Sequence, residues 1–287
     1  MESRIFKRKK PSCTKLAIKK RMFFSNKKIA IIGYGAIAKY VYNELKFNKI
    51  KIDFAICKQG KEDKAKEVFS KEVLTINSIK NFETLPDLVL DCAGHSALEK
   101  FAADFLSNGV DFITLSSGAL ANDKLYDIIN KASKKGGSNF YIASGAIGSL
   151  DLLNAANQGN VYKVTYTGRK PPRGWIGSRA ENVISLQNVE GEKTHFFGSA
   201  REAALLYPKN ANVAATIAIS GIGFDKTSVK LIADNSINKN IHELEIEGEF
   251  GISKSIIEGL PLPDNPRSSL LAAMSMVSEV KKFLRKN

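Results

Sequence analysis

The 287-residue sequence holds no apolar run that approaches the roughly 20 residues of a membrane-spanning helix, so no membrane partner is expected. Cysteine is scarce. Cys13, Cys57 and Cys92 are odd in number and widely spaced, with no C-x-x-C pair and no zinc spacing. Neither a disulfide framework nor a metal site is expected; reduced thiols fit a cytoplasmic setting. Cys92 lies near the cofactor edge inferred below, although a small buried hydrophobe is the commoner role. There is also no Ser-His-Asp order, no H-E-x-x-H and no P-loop.

Negative charge is the deficient sign, with 29 Asp and Glu against 43 Lys and Arg and a formal net charge of +14. A basic folded face would be the footprint of a polyanion. The excess is concentrated elsewhere. The first 28 residues hold eleven Lys and Arg and one acid, Glu2, which leaves only +4 on the remaining 259. Residues 1–27 read as a basic tail, polar and proline-containing, that is expected to be disordered, and no nucleic-acid partner is expected. A Lys-rich, atypical transit peptide, or an extension upstream of a true start at Met22, would look similar; a dispensable tail is the preferred reading. The rest, with 44% hydrophobic residues overall, is long enough for two domains.

The organising stretch is Lys28 to Ala38. Ile29 to Ile32 reads as a strand buried on both faces, and Gly33-x-Gly35-x-x-Ala38 leads into a helical periodicity through Val41 and Leu45. Strand, glycine turn and helix in that order form the dinucleotide fingerprint. Gly33 allows the tight turn, Gly35 leaves room for a pyrophosphate, and Ala38 lets helix and strand pack closely. The free amides and positive dipole end of the helix then face the phosphates. Gly33, Gly35, Ala36 and Ile37 are the expected contacts; a sterically tight turn without a ligand is the plain alternative. The second strand, Ile50 to Ile56, ends in Cys57-Lys58-Gln59-Gly60 with no carboxylate at its tip. An acid there would bind the ribose of NAD, and a basic residue tolerates the 2′-phosphate of NADP. Asp53 lies early in the strand. NADP is therefore expected to be accepted, with Lys58 as its phosphate partner or else a solvated loop lysine.

Leu88 to Cys92 is another buried strand, and Ala93 and Gly94 follow at its carboxyl end, the edge where ligands bind in open α/β sheets. Further alternation predicts a helix over 97–107, opened by His95 or Ser96, strands over 111–115 and 140–143, and a helix over 123–134. The fold class is thus α/β: an N-terminal Rossmann-type, doubly wound parallel sheet over 28–145. A C-terminal α+β domain with a mixed or antiparallel sheet follows over 146–262, and a helical segment over 263–287 that returns to the first domain. In the second half, 161–168, 182–188, 194–198, 228–233 and 241–247 read as strands. Helices are expected over 151–157, 200–206 and 212–220. The alternating strands leave one open sheet face for subunit contacts.

Four polar clusters follow. Arg169-Lys170-Pro171-Pro172 suggests a fixed anion site or a charged loop. In 207–215, Asn212 caps a helix or holds a nicotinamide or substrate group. His242 shares the parity of Leu244 and Ile246, which places it on the covered face as either a satisfied core histidine or a proton carrier. The fourth cluster, Asn265-Pro-Arg-Ser-Ser269, reads as the start of the last helix.

Taken with Asp91-Cys-Ala-Gly94-His95, Ser144-Gly-Ala146-Ile-Gly148-Ser-Leu-Asp151, Pro208-Lys-Asn210-Ala-Asn212-Val-Ala-Ala215, Asn240-Ile-His242 and Gly248-Glu-Phe-Gly251, these clusters resemble the L-aspartate dehydrogenase family in order, over about 28–284. The departures are Ala38 for a common glycine, Gly168 where a hydroxyl residue is usual, Asn235 for proline, and Arg267-Ser268 for Lys-Thr. The resemblance implies oxidation of L-aspartate to iminoaspartate with NAD or NADP, or amination of oxaloacetate with ammonia, feeding NAD biosynthesis. It implies Ala146 and Asn212 as cofactor contacts and His242 as the active-site histidine. Ala93 and Gly94 complete the expected cofactor edge. Arg169, Lys170 and Asn210 are the expected substrate contacts, and a homodimer is expected. The alternatives are another NAD(P)-linked amino-acid or semialdehyde oxidoreductase of the same plan, or a non-catalytic dinucleotide-binding protein.

Overall fold

The computed structural model describes residues 27 to 286 except Lys209 and Asp264, and of Pro266, Arg267 and Lys286 it describes the backbone alone. The tail, with Cys13 and Met22, lies outside the described residues apart from Lys27.

Every residue of β1 (Ile29–Ile32) and β4 (Leu88–Asp91) is buried, as continuous apolar runs require when helices cover both faces. Between them lie α1 (Ala36–Phe47), β2 (Phe54–Ile56), α2 (Glu62–Val68) and β3 (Leu74–Ile76). After β4 come α3 (His95–Ser107), β5 (Asp111–Thr114), α4 (Asp123–Gly136) and β6 (Phe140–Ile142). The six strands are all parallel in the order β3-β2-β1-β4-β5-β6. The order reverses between β1 and β4, so a crevice opens at their carboxyl ends. β2 is shorter than the sequence suggests. Ile50 and Ile52 are buried ahead of it, and the Asp53 carboxylate accepts the Ile29 amide at 3.0 Å at the opposite end of the sheet from the crevice.

α5 (Leu150–Ala156), β7 (Val161–Lys170), β8 (Glu192–Ser199), α6 (Ala200–Leu206), α7 (Asn212–Ser220), β9 (Ser228–Asp234), β10 (Asn240–Gly248) and β11 (Gly251–Gly259) build the second unit. Its five-stranded sheet runs β11-β10-β7-β9-β8, with only β7 and β9 parallel. The strand expected over 182–188 is absent. Short 3-10 turns at Arg179–Asn182 and Leu186–Asn188 stand there instead. Ala180 and Val189, on either side of this stretch, are buried in one cluster with Trp175, whose indole donates to the Ile232 carbonyl at 3.0 Å. The 265–269 cluster does not start the last helix. It forms β13 (Asn265–Ser269), paired with β12 (Pro261–Leu262).

α8 (Leu270–Lys286) packs back on α1. Met276, Val280, Phe283 and Leu284 share one buried cluster with Val41 and Leu45. No described helix is long and apolar enough to cross a membrane.

Candidate active site

The turn after β1 is built for close approach. Gly33 has φ +94, and a Cβ there would fall 3.0 Å from the Ala93 Cβ, so a side chain at position 33 would be strained and would crowd the end of β4. Gly35 is the N-cap of α1 and Gly94 that of α3. Neither helix start is capped by a side chain, and a Cβ on either glycine would stand in open space. Two cavities flank this turn. One of about 610 Å³ is bounded by Gly33, Tyr34, Lys58 and Ala93. The other, of about 140 Å³, is bounded by Ile37, Ala146, Asn212 and His242. Uncapped amides between two pockets suit a long anionic ligand with a planar group at each end. The residues present fit a dinucleotide.

The larger cavity ends at Lys58, Gln59 and Lys61, and its described lining carries no carboxylate. Asp53 cannot serve there, being bonded to the Ile29 amide and paired with Lys51 at the far end of β2. Cys92 is half-buried at the crevice, and burial together with the neighbouring Asp91 keeps its thiol protonated. Asp91 is itself buried, which pushes its carboxyl up. It accepts from the hydroxyls of Thr114 and Ser116 and from the Ala93 amide, and so ties the ends of β4 and β5 together.

The smaller cavity brings ionisable side chains together. Its titratable lining residues, among those described, are His242 and Lys170. The alternation along β10 buries His242 with Leu244 and Ile246. Its Nδ1 lies 2.8 Å from the Tyr166 hydroxyl, while Nε2 has no partner. Burial, and secondarily the charge of Lys170, lowers its pKa to about 4, so the imidazole is neutral near pH 7. Lys170 is buried on the same face. Its Nζ donates to Asn210 Oδ1 at 2.8 Å and lies 5.0 Å from the Trp175 ring centre. Burial lowers its pKa to about 8.

Asn212 does not cap α7; Ala211 holds that position. Its Oδ1 accepts the Gly118 amide at 3.0 Å and meets His95 Nε2 at 2.8 Å. A backbone N–H can only donate, so the oxygen faces Gly118, and His95 Nε2 must carry a proton. The Asn212 side-chain NH₂ is left as the donor at the cavity. The same bonds join β4–α3 and β5–α4 connections to α7 and hold the two sheets in register around the site. Ser117 adds to them, donating to the Asn212 carbonyl at 2.8 Å.

Arg169 is not at this site. Successive strand residues point to opposite faces, and Arg169 lies across from Lys170 among Glu192, Asp234 (3.2 Å) and Glu243 (3.4 Å). Its guanidinium is engaged by these carboxylates and does not line the cavity, unlike the expected position for a substrate contact. The expected Gly33, Gly35, Ile37, Lys58, Ala93, Ala146, Lys170, Asn210, Asn212 and His242 line the cavities or the turn between them, with Ala36 opening α1 and Gly94 at the start of α3. The sequence reading missed Tyr166 and His95, because both act across strands or between sheets.

Comparison with known proteins covers both halves. A family model described as "Aspartate dehydrogenase, C-terminal" matches residues 151–283, and one described as "Homoserine dehydrogenase, NAD binding domain" matches 33–143. The L-aspartate dehydrogenase of Ruegeria pomeroyi is 46% identical over 254 residues, 88% of this chain and 91% of that protein. That of Pseudomonas aeruginosa is 39% identical over 253 residues, 87% and 94% of the two chains. The crystal structure of aspartate dehydrogenase from Thermotoga maritima aligns with a TM-score of 0.67 at 25% identity, covering 91% of this chain and 97% of that one. A hyperthermophilic archaeal homoserine dehydrogenase solved with NADPH shares the fold at 10% identity and a TM-score of 0.55. With that identity extending across both sheets and the pocket between them, the chain belongs to the L-aspartate dehydrogenase family.

Proposed function

We infer that this protein catalyses the NAD(P)-dependent oxidation of L-aspartate to iminoaspartate, and the reverse amination of oxaloacetate. The observation that carries this reading is the buried, neutral His242, which lines a cavity with Ala146, Asn212 and Lys170 and whose Nε2 has no partner. A nicotinamide bound there would supply the acceptor for the hydride that leaves Cα of aspartate. Gly33, Gly35, Ala36 and Ile37 hold the pyrophosphate side, Ala93 and Gly94 close the crevice, and the Asn212 amide orients the carboxamide end. His242 Nε2 takes the proton released at the substrate nitrogen, or returns it in the reverse direction. Lys170, fixed by Asn210, pairs with a substrate carboxylate. Closure of the pocket by apolar Ile37 and Leu115 limits water beside the reacting carbon.

NADP is accepted alongside NAD in this reading, because Lys58 and Lys61 stand where an acid would reject a 2′-phosphate. The open face of the five-stranded sheet, with Phe197, Ile252 and Ile256 largely exposed, pairs with a second copy. A cytoplasmic place and a supply of iminoaspartate to NAD synthesis follow from this reading. The test is a substrate panel: purified protein with NAD⁺ or NADP⁺ against aspartate, glutamate, alanine and homoserine. Aspartate-dependent reduction is expected. Reduction with homoserine in place of aspartate would move the protein to the rival oxidoreductase reading, and nucleotide binding without turnover would make it a non-catalytic binder.

A further inference from the structure

The pairing of β7 with β10 sets Gly168 directly opposite His242 and Tyr166 opposite Leu244. The side chain nearest the histidine ring across the strands would therefore belong to position 168, which has none. The ring instead meets a hydroxyl delivered from two residues away. Tyr166 lies nearly parallel to His242, with an interplanar angle of 15° and centroids 6.0 Å apart, and its Oη is 2.8 Å from Nδ1. Gly168 sits in ordinary strand backbone, so its conformation does not call for glycine. Space does: a Cβ there would stand 2.7 Å from the Tyr166 Oη and 3.2 Å from Cζ.

We propose that Tyr166 is a positioning residue that holds His242 in the Nδ1–H form, leaving the Nε2 lone pair toward the substrate, and that Gly168 is kept bare to admit its hydroxyl. The proposal rests on His242 being the proton carrier. Nδ1–H donates to Oη, and Nε2 is then the basic nitrogen. When Nε2 takes a proton, both nitrogens carry hydrogen, and the Nδ1–H···Oη bond persists in the imidazolium. Burial raises the phenol's pKa, so Tyr166 stays neutral throughout. A neutral partner does not strengthen the base as a carboxylate would. That suits a histidine that must release its proton again in the reverse reaction.

The imidazole shares its cavity with groups from several elements. Lys170 approaches from β7, Asn212 and Thr216 from α7, Asn210 from the segment before α7, and Ser268 and Ser269 from β13. Lys170 is the charged one among these described residues, and Glu243, next along β10, lies on the opposite face. Among the described contacts Nδ1 meets the Tyr166 hydroxyl, which can accept or donate there; the form in which it accepts is the one that leaves Nε2 with its lone pair.

The test is ¹⁵N NMR of the histidine rings in the full chain near neutral pH, with His242 assigned by its loss in His242→Asn, for wild type, Tyr166→Phe and Gly168→Ala. Wild-type His242 is expected in the Nδ1–H form, and a mixed or Nε2–H form in both variants. In parallel, kcat should fall about tenfold or more in Tyr166→Phe, the loss of one buried hydrogen bond, while KM for nucleotide and aspartate stays within about twofold. The ascending limb of its pH profile should move to lower pH, because the imidazolium loses an acceptor. Gly168→Ala pushes the hydroxyl off Nδ1 and should add little to Tyr166→Phe when the two are combined. An Nε2–H form in the wild type, or an unchanged spectrum and profile in Tyr166→Phe, overturns the proposal. Because the spectrum reads the tautomer without turnover, it stands apart from the aspartate assay: a protein that fails to oxidise aspartate at all defeats the reading of function instead.

Discussion

A lysine and a histidine share one small buried cavity; burial lowers the proton affinity of both, and the Lys170 charge lowers that of His242 further. For His242 the larger cause is burial and the smaller is the Lys170 charge. Lys170→Met therefore has a signed consequence. Without the cation the imidazolium is less penalised, and the ascending limb of kcat/KM, which reports the free enzyme, moves up from about pH 4. It stays below the ordinary histidine value, because burial remains. The wild-type descending limb near pH 8, where Lys170 loses its proton, disappears. KM for aspartate rises about tenfold or more with the loss of a charged hydrogen bond. A pH–rate series on the two proteins checks all three. The placement of His242 was legible from parity alone, since β10 alternates cleanly. The separation of Lys170 from Arg169 was not. Read as a loop after Gly168, the two cations look equivalent; once β7 extends through Lys170, pleating sends one to the cavity and the other to three carboxylates. Tyr166 was invisible for a different reason: its partner is set by register between strands 76 residues apart, which no local pattern encodes.

The elements that reveal themselves in sequence are those whose own pattern suffices. β1, the glycine turn and α1 could be read because burial, turn and periodicity follow one another within a dozen residues. Gly33→Ala tests the turn. A φ of +94 strains any side-chain-bearing residue by about 1–3 kcal/mol, and the Ala93 Cβ lies 3.0 Å from the new methyl. The variant should lose about that much stability in chemical denaturation and bind nucleotide more weakly, as read by titration. β11 escaped notice because its polarity is inverted. Ile252 and Ile256 face outward at the sheet edge, while Ser253 and Ser255 lie on the other side. The 182–188 stretch misled in the opposite sense: Val183 is exposed, Ile184 and Leu186 are only partly buried, and the segment runs as short 3-10 turns that do not alternate across a sheet. β13 was read as helix because a two-strand pairing with β12 depends on a partner that local propensity does not name.

At the scale of the whole molecule, the parallel sheet supplies the crevice, the mixed sheet supplies His242, and the His95–Asn212–Gly118 bonds hold one against the other. α8 closes the chain on α1, and its Ser275 hydroxyl accepts the Gly145 amide at 3.0 Å beneath the cavity. The outer row of the mixed sheet runs Phe197, Lys230, Thr167, Glu243 and Ile256. If a second copy covers it, Ile256→Asp buries an unpaired carboxylate at that contact, and light scattering should show the native mass halved; an unchanged mass would place the subunit contact elsewhere. The central claim is that His242, delivered by one sheet, moves the proton for a hydride transfer housed by the other. The most direct measurement is the rate of NAD(P)H formation from aspartate by His242→Ala beside the wild type, with nucleotide affinity titrated on the same preparations. The account predicts wild-type turnover and its loss by about 10²-fold or more in the variant, at unchanged nucleotide affinity. A variant that still reduces nucleotide with aspartate at the wild-type rate would contradict it.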